Sequence, residues 1–181
     1  MRDGDALENN PRVTRSALED VHGQVFGWAL SRCDYDAAAA EDLVQQAYLE
    51  LLSGKAHFDG RSTLKTFVFA VVQNLARGRF RRKARHLKLI TQHAAESAAT
   101  ADLEEPAESN SLWQAVAALP ARQRDIVELV FLRDMTVEQA STVMGVTVGT
   151  GRVHYDRAKK ALREKLADDH GSAELAGGGQ L

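Results

Sequence analysis

The sequence lacks most of the features by which enzymes and metalloproteins are recognised. Its 181 residues contain one cysteine, Cys33, which excludes an intramolecular disulfide and a cysteine-clustered zinc site. We interpret Cys33 as a small buried apolar residue. The six histidines show no metal-ligand spacing, and no glycine-rich phosphate loop or nucleophile elbow is present. We therefore predict a non-catalytic protein with no cofactor, no metal and no small-molecule substrate.

Long hydrophobic runs and secretory signals are also absent. No apolar run approaches the roughly 20 residues that a bilayer-spanning helix requires. The N-terminus is acidic and polar, unlike a signal peptide. These two absences predict a soluble cytoplasmic protein with no membrane insertion.

Charge is distributed in blocks of alternating sign, although the net charge of the whole chain is only −2. Residues 61–90 carry nine Lys and Arg side chains and no acid, whereas residues 91–121 carry five acids and no Lys or Arg. The first half of the basic block is apolar at helical spacing. A helix that begins in a core and ends as a polycation needs a polyanionic partner, so this block predicts a nucleic-acid interface.

The hydrophobic pattern predicts an all-α fold. Apolar residues recur at three- and four-residue spacing, and no segment alternates as a strand would. We predict two small helical domains, 16–90 and 112–167, joined by a flexible acidic linker at 91–111. The N-terminus, 1–15, and the glycine-rich tail, 168–181, are predicted to be disordered.

Capping residues predict where the helices begin. Ser16 with Glu19 forms a candidate capping box, Asp36 caps the second helix, and Ser62 or Thr63 caps a long third helix. The core positions predicted in the third helix and in the helix after Pro120 are Leu64, Phe67, Val68, Val71, Val72, Leu75, Ile126, Val127, Val130 and Phe131.

A helix-turn-helix is predicted near the C-terminus. Thr136 and Gln139 form a capping box, Gly145 ends that helix, and Thr147 or Thr150 begins a basic one. The N-terminal half of the second helix would enter the DNA major groove, where Arg can bind guanine and Val a thymine methyl. The candidate DNA-contacting residues are Thr147, Thr150, Arg152, Val153, Asp156 and Arg157. The alternative is an ordinary helical hairpin with a solvated charged face.

Two other surfaces are candidates for function. In the loop before the long helix, the Phe58 ring could stack on an unpaired base while Asp59, Arg61 and Ser62 bond its edge. Alternatively, Phe58 packs into the core and the polar residues form the turn. The second surface is the outer face of the second helix, which carries Glu41, Asp42, Gln45, Gln46 and Glu50. No histidine accompanies these carboxylates in helical register, so an acid–base or metal role is disfavoured.

In order, these segments resemble the conserved regions of bacterial sigma factors. "AAEDLVQQAYLELL" and "LKTFVFAVVQNLARGRFRRKAR" resemble region 2, and "LPARQRDIVELVFLRDMTVEQASTVMGVTVGTGRVHYDRAKKAL" resembles region 4. Only a short acidic linker joins them, which is typical of the extracytoplasmic-function type. The resemblance covers about residues 16–88 and 112–166.

The resemblance implies a transcription initiation factor that binds core RNA polymerase and promoter DNA. It implies docking on the β′ clamp helices by Glu41, Asp42, Leu43, Gln45 and Gln46, and a contact with the β flap. It implies that Phe58, Asp59, Gly60, Arg61 and Ser62 capture a flipped base of the melted −10 element. Upstream −10 DNA would be held by Asn74, Arg77, Arg79, Arg81 and Arg82. The last helix would read the duplex −35 element, and an anti-sigma factor would control the protein.

The sequence departs from the family pattern at several positions. Phe67 stands where Trp is usual, and Gly78 stands where Asp is often found. In the helix-turn-helix, Ser141 replaces the usual Ala and Gly151 replaces the usual Val. Glycines at 149 and 151 each cost about 0.5–1 kcal/mol of helix stability, which predicts a loosened start of the last helix.

Two other function classes remain open. One is a helix-turn-helix regulator that binds duplex DNA without core polymerase, and the other is an interaction adaptor with a fortuitously basic helix. The regulator leaves the basic block and the acidic helix unexplained. The adaptor predicts that polymerase binding survives a charge reversal at Asp42.

Overall fold

The computed structural model describes residues 13–91 and 110–176. Within those ranges all regular structure is helical, and no strand occurs. The all-α prediction is confirmed. The expected linker, most of the N-terminal segment and the last five residues of the tail lie outside the described residues. The helices form two compact units, one within residues 13–91 and the other within residues 110–176.

The first unit is a bundle of three helices, α1 (Arg15–Arg32), α2 (Ala37–Leu52) and α3 (Leu64–Thr91). Thr14, rather than Ser16, caps α1, because its hydroxyl accepts the Ala17 N–H at 3.2 Å. Val13 and Leu18 are both buried and occupy the two positions of a hydrophobic staple around that cap. Asp36 caps α2 as predicted, and Thr63 caps α3 by accepting the Thr66 N–H.

The core of this unit is centred on Trp28, which is fully buried and stacks on Phe69 at 5.9 Å between ring centroids. The guanidinium of Arg32 lies 4.1 Å from the centre of the Trp28 ring, a cation–π contact. The core face of α3 is wider than its apolar stripe predicts, because α1 and α2 both pack on this helix. Thr66 and Gln73 are therefore buried although both are polar.

The second unit contains α4 (Asn110–Ala117), α5 (Ala121–Val127), α6 (Val137–Met144) and α7 (Val148–Ala176). Leu119, Val127 and Ala158 form its core together with half-buried apolar neighbours. α7 extends nine residues beyond the expected domain end at residue 167, so the prediction of a disordered tail is wrong as far as Ala176.

A π-helical segment, Glu128–Leu132, follows α5 directly. Its wider turn adds a residue relative to an α-helix and changes which side chains face the core. Leu129 is fully buried, whereas Phe131, predicted as a core residue, is 58% exposed and stacks on Tyr155 at 6.0 Å. The predicted burial of Ile126 and Val127 is confirmed.

None of the described helices is long and apolar enough to cross a membrane.

Candidate functional site

The outer face of α2 presents an acidic surface. The helix buries one stripe, Ala40, Leu43, Val44, Ala47 and Leu51, against the other two helices of the unit. Glu41, Asp42 and Gln45 point away from that stripe and are exposed. Leu43 is fully buried, so it supports this surface from the core and has no face left for a partner.

Leu49 belongs to the same surface and was missed in the sequence. It is 66% exposed. Asp42, Gln45 and Leu49 are spaced three and four residues apart and therefore share one face of α2. In the sequence, Leu49 could have been recognised as a surface residue because it does not fall on the buried stripe of α2. We call Glu41, Asp42, Gln45 and Leu49 the α2 surface.

The second half of α3 is a basic surface. Arg81, Arg82, Lys83 and Arg85 are all exposed, and Asn74 is exposed about two to three turns earlier on the same helix. Phe80 lies among these cations with 74% of its surface exposed. The charge density predicted from the sequence is therefore present on the outside of the unit.

Arg79 differs from its neighbours in this basic run. Its guanidinium donates to the carbonyl of Ala39 at 3.2 Å and to Oε1 of Gln46 at 3.1 Å, in a partly buried position. Arg79 therefore ties α3 to α2, whereas the sequence predicted a phosphate contact for it. Gln46, expected to bind polymerase, is half-buried as the acceptor of this bond. Arg77 is also half-buried.

The loop between α2 and α3 is organised by packing and by a local turn. Phe58 is 7% exposed and packs on Phe67 with ring centroids 5.2 Å apart. Of the two interpretations of Phe58, the structure supports burial in the core. A ring held there has no face available for stacking on a base.

The polar residues of this loop remain at the surface. Asp59 accepts the backbone N–H of Arg61 at 3.1 Å and pairs with its guanidinium at 3.0 Å. Gly60 between them has a φ of 76°, a left-handed conformation that glycine adopts without steric cost. Ser62 donates to the carbonyl of Thr63. Asp59 and Arg61 thus form an ion-paired turn at the surface of the loop.

The helix-turn-helix has the local structure predicted for it. Thr136 and Gln139 form a reciprocal capping box at the start of α6, with bonds of 2.9 and 3.2 Å. Gly145 follows α6 with a φ of 64°. Thr147, rather than Thr150, caps α7 by accepting the Thr150 N–H at 3.2 Å. The two threonine hydroxyls are also bonded to each other.

The exposed face near the start of α7 contains all six predicted DNA-contacting residues. Two of its charged side chains already have partners on the protein. Arg152 pairs with Glu138 of α6 at 2.9 Å, and Asp156 pairs with Lys159 at 3.1 Å. Glu138 was not singled out in the sequence, since nothing local links it to a residue 14 positions away.

Gly151 is the contact point between α6 and α7. A Cβ built on it would lie 1.9 Å from Oγ of Ser141 and 3.1 Å from its Cβ, so no side chain fits without movement. Ser141 is itself buried and donates to the carbonyl of Val137. The glycine therefore permits a close approach of the two helices. The sequence suggested that it merely loosens α7, whereas the structure gives it a packing role.

We expect Gly151→Ala to destabilise the second unit and Gly149→Ala to stabilise it. Overpacking of a tight contact costs about 1–3 kcal/mol, which exceeds the roughly 1 kcal/mol that alanine gains in a helix. Gly149 is exposed, and a Cβ added to it would have Oγ1 of Thr147 as its nearest neighbour, 4.0 Å away. Urea unfolding of the two variants measures both effects. Equal stabilisation by both would contradict the packing role of Gly151, and Ser141→Gly should rescue Gly151→Ala.

No group of His, Cys, Asp and Glu within 13–91 and 110–176 is arranged to hold a metal ion. Cys33 is half-buried, and burial raises the pKa of its thiol.

Comparison with known proteins identifies both units. Residues 17–86 match the family model "Sigma-70 region 2", and residues 109–162 match "Sigma-70, region 4". Together these matches cover most of the residues that the structure describes.

Relatives of similar length match along most of the chain. The ECF RNA polymerase sigma factor SigF of Caulobacter vibrioides is 29% identical over 160 residues, covering 88% of this chain and 89% of the relative. The ECF sigma factor SigW of Bacillus subtilis is 24% identical over 142 residues, covering 71% and 76%. The sigma factor RpoE of Bartonella quintana, solved with the anti-sigma factor NepR, has the same fold, with a TM-score of 0.65, 24% identity and coverage of 84% and 96%. The chain belongs to the sigma-70 family as an extracytoplasmic-function sigma factor, a non-catalytic initiation subunit of RNA polymerase.

Proposed function

We propose that this protein docks on core RNA polymerase through the α2 surface and places its DNA-binding surfaces on the −10 and −35 elements. The observation that carries the proposal is the pairing, in one small bundle, of an exposed acidic face on α2 with an exposed basic face on α3. Two surfaces of opposite charge suit two different partners, a protein and a nucleic acid. Because polymerase and promoter are cytoplasmic in bacteria, we propose the same location for this protein.

The α2 surface fits a basic protein partner. Asp42 and Glu41 supply charge, and Leu49 supplies an apolar contact of the kind that anchors interfaces. We assign its partner as the β′ clamp helices, and we assign the β flap as the partner of the second unit. Leu43 and Gln46 support this surface from inside.

We divide the −10 contacts between the loop and the basic half of α3. We assign hydrogen bonding to the edge of an extruded base to Asp59, Arg61 and Ser62, and we assign to the buried Phe58 the role of anchoring the loop in the core. Arg81 and Arg82 bind phosphates of the upstream duplex. Trapping the extruded base would draw the DNA toward the melted state.

Control by an anti-sigma factor is part of this proposal. The neighbouring structures with TM-scores of 0.65 and 0.58 are complexes of RpoE with NepR and of CnrH with the cytosolic domain of CnrY. A partner that covers the α2 surface would prevent docking on polymerase.

Run-off transcription tests the proposed function. Core polymerase together with this protein should initiate at one defined start site, and core polymerase alone should not. If the protein protects duplex DNA from nuclease digestion but never stimulates core polymerase, the alternative of an independent helix-turn-helix regulator is correct.

Arg82→Ala should weaken promoter binding almost evenly across −10 sequences. A phosphate contact carries no base information, and its loss should reduce the slope of log affinity against log salt concentration by about 0.9. Arg15→Ala, which removes an exposed arginine paired with Glu19 on α1, is the matched control. Binding titrations of the holoenzyme on a −10 library measure both effects. A sharp change in base preference would refute the phosphate assignment.

A further inference from the structure

The ion pair between Glu138 and Arg152 connects the two helices of the helix-turn-helix. Glu138 is in the first turn of α6, Arg152 is near the start of α7, and Nη2 of Arg152 donates to Oε1 of Glu138 at 2.9 Å. The side chains are 65% exposed for Arg152 and 53% for Glu138. The hydrogen bond from Arg152 and one with the backbone of Glu138 hold the pKa of this carboxyl below its usual range. The carboxylate is therefore ionised at neutral pH.

We propose that Glu138 is a positioning residue that holds the Arg152 guanidinium for recognition of a base in the −35 element. The inference rests on the proposed function, in which Arg152 contacts that element. A guanidinium has five N–H donors, and the bond to Glu138 uses one of them. The remaining four suffice for a bidentate contact with O6 and N7 of guanine. Arg152 can therefore bind the base while it stays paired.

Positioning matters here because arginine is long and rotamer-rich. A side chain that is already held loses less conformational entropy when it binds, and the benefit appears only at the base pair that it contacts. The same carboxylate also repels DNA phosphates, and that repulsion acts on every sequence alike. Glu138 therefore has two effects of opposite sign, one on specificity and one on overall affinity.

These two effects separate positioning from a merely structural role. Glu138→Ala should reduce discrimination at the base pair contacted by Arg152 about three- to tenfold, the size expected for one pre-ordered side chain. It should also raise non-specific affinity at low salt. Damage to the fold would instead lower binding to all sequences. Glu138→Gln keeps a bond acceptor without the charge and should fall between wild type and Glu138→Ala in discrimination.

The experiment uses the full chain in holoenzyme with core polymerase and a promoter library randomised in the −35 element. Wild type, Arg152→Ala, Glu138→Ala and the double variant are compared, and Glu164→Ala is the matched control. Glu164 is an acid of α7 paired with Lys160 at 3.8 Å, outside the proposed DNA face. We expect the double variant to discriminate no worse than Arg152→Ala alone.

The outcomes distinguish this inference from the proposed function. If Arg152→Ala relaxes one base pair but Glu138→Ala leaves discrimination unchanged or improves it, the positioning role is overturned and the −35 assignment stands. If Arg152→Ala relaxes nothing, the −35 assignment of Arg152 is wrong and the role of Glu138 falls with it. Lower discrimination together with higher non-specific affinity for Glu138→Ala supports the inference.

Discussion

Asp42→Arg should abolish most transcription by core polymerase, while the variant folds normally. Asp42 is exposed on α2 and contributes nothing to the buried stripe, so a longer side chain fits at its position. In the complex, the change would replace an attraction to a basic partner by a repulsion. Losing a charged contact at an interface typically costs roughly 2–5 kcal/mol, which is about 30-fold or more in affinity.

The measurement is affinity for core polymerase, followed by run-off transcription at saturating protein. Asp20→Arg is the matched control, since Asp20 is an exposed acid on α1 of the same unit. It changes net charge equally and should leave polymerase binding nearly intact. If Asp42→Arg binds core polymerase as tightly as Asp20→Arg does, docking through the α2 surface is wrong and the adaptor interpretation gains support.

Phe58→Ala should destabilise the first unit strongly. The ring is 7% exposed and packs on Phe67, and removal of a buried phenylalanine ring typically costs about 3–5 kcal/mol. Phe58→Leu keeps most of the apolar volume and should cost less. Chemical denaturation monitored by circular dichroism gives the free energy of unfolding of each variant.

The leucine variant also separates packing from base capture. Because the base is assigned to the polar residues of the loop, Phe58→Leu should still open the −10 region, as monitored by permanganate reactivity of unpaired thymines. Asp59→Ala should impair opening with little loss of stability, since Asp59 is exposed. If Phe58→Leu is stable but fails to melt DNA, the ring itself contacts the base and its buried position changes on binding.

Local patterns predicted the parts of this structure that local interactions determine. The cap at Asp36 and the capping box of α6 each depend on residues within one turn, and both are confirmed. The π-helical segment after α5 was not predictable, since its bonding register follows from tertiary packing. Within this segment Phe131 is exposed to solvent, although the helical pattern predicted it as a core residue.

Among the site residues as well, local sequence patterns did not predict the features that depend on tertiary packing. Arg79 lies seven residues after the buried Val72 and so continues the core face of α3, but its two acceptors are supplied by α2, which the sequence around Arg79 does not reveal. Whether Phe58 pointed inward could not be decided from a loop without periodicity. Glu138 was missed because its role depends on Arg152, which lies across the turn on the next helix. Leu49 was missed because its role depends on being exposed at the surface of α2.

The contact between Ser141 and Gly151 makes the order of substitution matter during divergence. The family commonly has Ala and Val where this chain has Ser and Gly, so both positions differ here. A side chain introduced first at position 151 would clash with Ser141, whereas a smaller residue at position 141 introduces no clash. Because effects at contacting residues are not additive, a side chain at 151 should be better tolerated once position 141 has become smaller. In directed evolution of promoter specificity, libraries that vary position 151 alone would therefore lose most members to misfolding before any DNA contact is tested.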